Sequence, residues 1–149
     1  MGLVMAIAVK TIRQRVSAAV DAVTGFSESK QPHGVFGRDP ASVLHKRYAV
    51  GCPRTTTVRD RQSLADGALV RTVVSVTYAH RVKPKDQQAS YDSALDAEAA
   101  IIVAVMADSG SLQELQLSLS GIPVRQVDTA GEWIVGDIEF SSMHLLALT

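Results

Sequence analysis

Hydrophobic and polar residues recur with helical spacing in the first part of the chain. Placed at 100° intervals, residues 3–23 gather their apolar side chains on one side and their polar ones on the other. This pattern predicts an amphipathic helix over Leu3–Val23, ended by the Thr24-Gly25 pair. Leu3 and Ile7 fall on its polar side, so we expect either a partner subunit to cover them or the first turn to fray.

A loop-rich stretch with one short strand follows this helix. Residues 26–45 mix glycine, proline and serine with isolated apolar residues, which predicts mostly loop with a helical turn at Ala41–His45. Lys46–Gly51 has the composition of a short strand. Residues 51–68 have few large apolar side chains, so we expect a long exposed loop or hairpin tip there. Its arginines are Arg54, Arg59 and Arg61.

The clearest strand pattern covers Leu69–Val82, where two sets of residues alternate over the whole segment. At about 3.3 Å per residue this strand is roughly 40 Å long, about twice the usual length. Part of it can therefore project beyond its own domain and contact another subunit. Arg71 and Arg81 lie on the same face of this strand and are candidates for such a contact.

A second amphipathic helix is predicted over residues 86–108, after Pro84 breaks the strand pattern. Its apolar stripe consists of Tyr91, Leu95, Ile102, Val105 and Met106. Glu98 lies near the centre of this stripe, where a carboxylate needs a cation or hydrogen-bond donors. Either Glu98 pairs across a subunit boundary, for example with Arg71 or Arg81, or the stripe is only partly covered and Glu98 reaches water.

The last third of the chain is rich in strand patterns. Leu115–Leu119, Val124–Val127 and Glu132–Leu148 each read as strands, and the last has no following segment to cover it. The element order predicts an α+β fold with an antiparallel or mixed sheet and two main helices packed on one face. We expect a single two-layer domain over residues 1–149.

Composition narrows the class of function. The chain has 149 residues, 46% of them hydrophobic, with 15 basic and 15 acidic residues and therefore no net charge. Such a chain has no global field that would hold a nucleic acid, and its apolar start is far shorter than a membrane span. With a single cysteine it has no internal disulfide, and it lacks a targeting or lipidation pattern. These features are typical of a cytosolic protein.

The candidate motifs for chemistry are weak. Ser27 and Lys30 match a serine-lysine spacing without its companion elements, and Cys52 and His45 are the only thiol and imidazole close in sequence. The four histidines are too far apart for a metal-ligand spacing, and no phosphate-binding glycine motif occurs. We therefore predict no catalytic, cofactor-binding or metal-binding residues, and a protein that is not an enzyme.

Three segments carry a family resemblance. Residues 69–102 combine a long strand, a basic turn and a helix with the pattern Tyr-Asp-x-Ala-Leu-x-x-Glu. Residues 131–148 form a tryptophan-bearing strand followed by a second stretch of β character, and residues 36–51 end in a strand. In these segments the chain resembles the tail terminator proteins of long-tailed bacteriophages. The likeness spans most of residues 1–149 and is one of pattern and length, although the loop at 51–68 is longer than in the smallest members.

The resemblance implies a structural virion protein assembled in the bacterial cytoplasm. It implies a hexameric ring that caps the tail tube, stops tube polymerisation and offers a docking surface to the head-tail connector. The implied partners are identical copies, the tube protein and the connector or neck protein, with DNA only passing through the lumen and no membrane. The family supplies no catalytic residues and no cofactors. The candidate subunit-interface residues are Leu3, Ile7, Arg54, Arg59, Arg61, Arg71, Arg81 and Glu98.

Other functions remain open at this stage. A neck, head-completion or tail tube protein has the same composition and belongs to the same virion class. A small enzyme or ligand-binding domain would use Cys52 and His45. A nucleic-acid-binding module would act through the arginines of the 51–68 loop and would bind less tightly as salt rises.

Overall fold

Two long antiparallel strands form the centre of the sheet. β4 (Leu69–Arg81) and β7 (Trp133–Leu146) pair at every position from Leu69↔Leu145 to Arg81↔Trp133. Both alternate between two faces, and one face of each is almost completely buried. The structure is a computed structural model that describes residues 6–28, 45–58, 68–107, 117–121, 123–127 and 132–147.

Shorter strands extend this pair on both sides. β3 (Arg47–Thr57) runs antiparallel to β4 with a bulge between Gly51 and Arg54, and β2 (Ser27–Glu28) lies parallel to the start of β3. On the other side, β7 pairs with three short strands in succession. These are β6 (Val124–Val127), β5 (Leu117–Leu119) and the parallel β1 (Ala6–Ile7).

Two helices cover one face of the sheet. α1 (Val9–Asp21) buries Ile12, Val16 and Val20, which are spaced four residues apart and so share one side of the helix. A 3-10 turn at Pro84–Asp86 leads into α2 (Gln87–Met106). The core lies between the helices and the inner face of the sheet and includes Tyr48, Val50, Val74, Val76, Tyr78, Ala97, Ile101, Val105, Ile138 and Phe140. The predicted α+β fold with both helices on one face of a mixed sheet is confirmed.

The first helix is shorter than predicted because a strand precedes it. Ile7 belongs to β1, where it is paired with Leu146 and only 5% exposed. The Ile7 carbonyl also accepts a hydrogen bond from the Ala147 amide at 3.2 Å. Ile7 is thus covered by its own chain, and its predicted place in a subunit interface is wrong. Leu3 lies outside the described residues.

The predicted loop over 51–68 is wrong in its first part. β3 continues to Thr57, and Thr57 pairs with Val70, because the long β4 provides a backbone partner even where β3 has no apolar side chains to bury. Residues 53–58 are nevertheless exposed, as predicted. Arg59 and Arg61 lie outside the described residues, as does the predicted turn before His45.

Two other expectations about strand edges are also corrected. The last strand is not uncovered, since β4 lies on one side of β7 while β1, β5 and β6 lie on the other. Nor does β4 project with free edges, because β7 pairs with its whole length and β3 with most of it. The long rows of backbone donors and acceptors on β4 and β7 are paired most completely at the centre of the sheet.

The buried side of α2 differs from the predicted stripe. Ala94, Ala97, Glu98, Ile101 and Val105 are buried, whereas Tyr91 and Met106 are each 41% exposed. Small alanine side chains allow α2 to approach α1 and the sheet closely. Side-chain size as well as hydrophobicity therefore determines which face of α2 is buried.

Candidate interaction surfaces

Glu98 forms a buried ion pair inside the chain. It is 3% exposed, and Arg125 of β6 donates to both carboxylate oxygens, from Nε to Oε2 at 2.8 Å and from Nη2 to Oε1 at 2.5 Å. The Tyr78 hydroxyl donates a third hydrogen bond to Oε2 at 2.7 Å. The predicted pairing with Arg71 or Arg81 is therefore wrong, since Glu98 joins α2 to β4 and β6 of its own chain.

The environment of this ion pair shifts two pKa values. Burial, with the hydrogen bond to Glu98 second, raises the pKa of Tyr78 far above its ordinary value of 10, so Tyr78 remains a hydrogen-bond donor. The hydrogen bond to Glu98 raises the pKa of Arg125. Tyr78 thus stays neutral and Arg125 stays positively charged, and in these states both donate hydrogen bonds to Glu98.

A glycine makes room for the tyrosine of this network. Gly136 is the cross-strand partner of Tyr78, and a Cβ added to it would lie 2.2 Å from Tyr78 Cε1. The tyrosine ring therefore lies over the glycine, which lets the hydroxyl reach α2. A glycine in the middle of a strand often marks such a close approach.

The predicted interface arginines fall at two distant places. Arg54 pairs in register with Val73, and Arg71 pairs with Thr56, so the two arginines lie diagonally on adjacent strands of the outer face. Arg81 is ten positions from Arg71 on the same strand, about 33 Å away at the usual rise. Arg54 and Arg71 can act together, whereas Arg81 belongs to a different surface.

The sheet has two unlike exposed edges. On one side, Pro53–Thr57 of β3 are exposed, and apart from β4 no described strand pairs with β3 beyond Tyr48. On the other side, all four residues of β6 are exposed, including Val124 at 56% and Val127 at 54%. One edge therefore presents a proline, an arginine and three threonines, and the other presents two valines at the ends of its strand with Arg125 and Gln126 between them.

A cleft of about 800 Å³ opens at one end of the sheet. His45 and His80 line it with their rings in an edge-to-face arrangement, 4.5 Å between centroids. The Arg81 amide donates to His45 Nδ1 at 3.1 Å, and His80 Nδ1 lies 3.0 Å from the Arg81 carbonyl. Burial first, and then nearby positive charge, lowers the pKa of His45. Burial also lowers the pKa of His80.

Cys52 is not close to His45. Cys52 packs against the core near the middle of β3, while His45 contacts the end of β4, so about 20 Å of strand separates them. Burial raises the pKa of Cys52, which favours the unreactive thiol. The two residues therefore form no nucleophile-base pair.

A buried polar network lies at the opposite end of the sheet. Thr72 Oγ1 is 2.7 Å from His144 Nε2 and 3.1 Å from Thr55 Oγ1, which links β3, β4 and β7. Thr72 and His144 are almost completely buried. Thr72 Oγ1 and both ring nitrogens of His144 have hydrogen-bond partners, so the role of this network is to hold the strands together.

Sequence reasoning missed the residues that define these surfaces. Val124 and Val127 lie in a strand of four residues, which is too short for hydrophobic periodicity to indicate which side chains are exposed. Arg125 carried a weak signal, because it stands between apolar residues in a segment that was predicted as a strand. The cleft left no signal in the sequence, because its walls come from segments that are far apart in the chain.

The described residues contain no group of three or more histidine, cysteine, aspartate or glutamate side chains that could hold a metal ion. Within the described part of the chain, no helix is both long and apolar enough to cross a membrane.

No protein-family model matches the chain, and no curated protein matches it.

Proposed function

We propose that this protein is an assembly subunit whose copies join head to tail in a closed ring, in the role of a phage tail terminator. The observation that carries the proposal is the pair of unlike exposed edges on opposite sides of one sheet. A ring requires heterologous contacts, in which one patch of a subunit meets a different patch of the next. The family resemblance supports the same role.

The chemistry of the two edges suits such a contact. Exposed backbone groups along β3 can pair with a neighbouring strand, and the main-chain hydrogen bonds of strand addition supply affinity. The exposed valines of β6 would lose water on contact, at roughly 25 cal/mol per Å² of apolar surface. Arg54 belongs to the exposed edge of β3, and Arg71 is its diagonal neighbour on β4. Both are therefore placed to contact the adjoining copy.

In this role the ring caps the tail tube, stops its polymerisation and docks to the head-tail connector as part of the virion. A chain with no net charge is compatible with a channel through which DNA passes, because a strongly basic lumen would retain it. No catalytic step and no cofactor enters this proposal.

Replacement of the edge valines tests the ring contact. We expect Val127→Lys and Val124→Lys to convert rings into monomers, as measured by analytical ultracentrifugation and electron microscopy. The matched control is Val103→Lys, since Val103 is 67% exposed on α2 and belongs to neither edge strand. A wild-type protein that stays monomeric at high concentration, and also in the presence of tail tubes, contradicts the proposal. So does a ring that is unaffected by both edge variants.

Electron microscopy also separates the terminator from its rivals. A heterologous contact that closes gives rings, whereas one that does not close gives filaments, the behaviour expected of a tube protein. Addition of the protein to growing tubes should halt elongation. Continued growth with rings bound along the side would contradict the terminator role.

A further inference from the structure

The cleft at the end of the sheet has one basic wall. His45 and Lys46 precede β3, His80 and Arg81 end β4, and Lys83 follows, so five basic residues from two neighbouring segments line the cleft. Burial is the main cause that lowers the pKa of His45, and repulsion from His80, Lys46, Lys83 and Arg81 lowers it further. A bound anion would relieve this repulsion.

The opposite wall is the side of α2. Lining residues run from Asp86 to Ala100, and at 1.5 Å per residue this wall is about 21 Å long. Ala89, Ser93 and Ala97 are small and follow each other at four-residue spacing, which leaves open space along the helix. Phe26 and Val23 add apolar surface near the end of α1.

The length and the charge of the cleft together select the occupant. At about 3.3 Å per residue, an extended segment of roughly six residues matches the length of the helical wall. Asp86 and Asp96 lie on that helical wall, so acidic groups of a ligand would face the basic wall of the sheet instead. The volume lies within the range of about 300–1,000 Å³ that is usual for ligand pockets.

We propose that this cleft binds an acidic, partly apolar peptide segment of a partner protein. Carboxylates of the segment contact Arg81 and Lys83, while its apolar side chains pack against Phe26 and the alanines of α2. The histidine pair lies between these two regions and contacts the bound segment. This site is separate from the sheet edges, so it does not depend on ring formation.

The direct test uses a fluorescein-labelled hexapeptide in which glutamate and leucine alternate. Fluorescence anisotropy with the full chain should show saturable binding, and a peptide alternating lysine and leucine should not bind. The double variant Arg81→Gln with Lys83→Gln should weaken binding at least about tenfold, the loss expected for two charge-assisted contacts. The control Lys85→Gln removes the same charge two residues further along, outside the cleft, and should change affinity less than about twofold.

A second readout locates the peptide. The imidazole proton resonances of His45 and His80 should shift as the peptide saturates, while those of His144, buried at the other end of the sheet, should not. An equal loss of affinity in Lys85→Gln, or shifts at His144 alone, would overturn the proposal. It would also be overturned if inorganic phosphate displaced the peptide at concentrations similar to those of unlabelled peptide, because the cleft would then take any small anion.

Discussion

The contact between Tyr78 and Gly136 controls how α2 is attached to the sheet. The tyrosine ring lies where a Cβ of residue 136 would be, and its hydroxyl donates to Glu98. The same carboxylate is held by Arg125 from the short strand β6. One glycine, one aromatic ring and one ion pair thus connect four elements, β4, α2, β6 and β7.

Replacement of Gly136 by alanine should destabilise the fold strongly, although it adds only one methyl group. In Gly136→Ala, the added methyl group would be 2.2 Å from the Tyr78 ring, so the ring must move and its hydrogen bond to Glu98 is strained. We expect a loss of about 2 kcal/mol or more in the free energy of unfolding. Urea denaturation measures it, with Ser141→Ala on the outer face of the same strand as control. Equal stability of the two variants would refute this account of the glycine.

Removal of Arg125 should destabilise the fold more than removal of the charge on Glu98. Arg125→Met leaves a buried carboxylate with Tyr78 as its remaining donor, and Arg125 is itself 36% exposed. We expect a loss of roughly 1–3 kcal/mol, below the range for fully buried pairs because solvent reaches the arginine. The double variant Arg125→Met with Glu98→Gln should recover part of this loss. A double variant less stable than Arg125→Met would contradict the ion-pair interpretation.

At the scale of elements, the periodic patterns predicted the fold well. The alternation in residues 69–82 and 132–148 predicted the two central strands, and the spacing of Ile12, Val16 and Val20 predicted α1. Periodicity does not specify which strands are neighbours, so the position of β7 inside the sheet was not predictable. For the same reason Ile7 appeared exposed on a helix although it is buried in a strand.

Surface features were less predictable than the core. The continuation of β3 to Thr57 depends on pairing with β4 and leaves no apolar pattern in the polar sequence of residues 53–57. Glu98 was correctly identified as a carboxylate in need of a partner, but its partner Arg125 lies 27 residues away on the short strand β6. Contacts of this kind depend on tertiary packing, which the patterns in a single sequence do not reveal.

The turn before β3 should be sensitive to acid. His45 accepts a hydrogen bond from the Arg81 amide, and its pKa and that of His80 are lowered from 6.5. The unfolded chain therefore binds protons more readily than the folded chain. The stability that the two neutral histidines contribute is complete above about pH 6.5 and is lost as pH falls towards the lowered pKa values. Urea midpoints measured from about pH 8 to about pH 5.5, across the ordinary histidine range, should fall.

The double variant His45→Gln with His80→Gln should lose most of this pH dependence, because neither replacement titrates. Lys85→Gln provides a control that keeps both histidines and should retain the full slope. Stability that stays constant in the wild-type protein, or that rises on acidification, would show that the histidine pair does not carry this effect.

At the scale of the whole molecule, the two faces of the sheet have different roles. The inner face packs on both helices and forms the core. The outer face has polar groups at its centre, where Asp137 accepts a hydrogen bond from Ser75 Oγ at 2.5 Å. The two lateral edges of the same sheet remain for contacts with other copies, whereas the cleft lies at its end.

Association through these edges should make the apparent stability depend on protein concentration. If folded copies bind one another and unfolded chains do not, the melting temperature rises with concentration, since assembly removes folded monomer from the unfolding equilibrium. Val127→Lys should melt at the same temperature as dilute wild-type protein and show no concentration dependence, whereas Val103→Lys should behave like the wild type. Calorimetry over a hundredfold range of concentration distinguishes these cases. A concentration dependence that persists unchanged in Val127→Lys would place the contact between copies elsewhere than on β6.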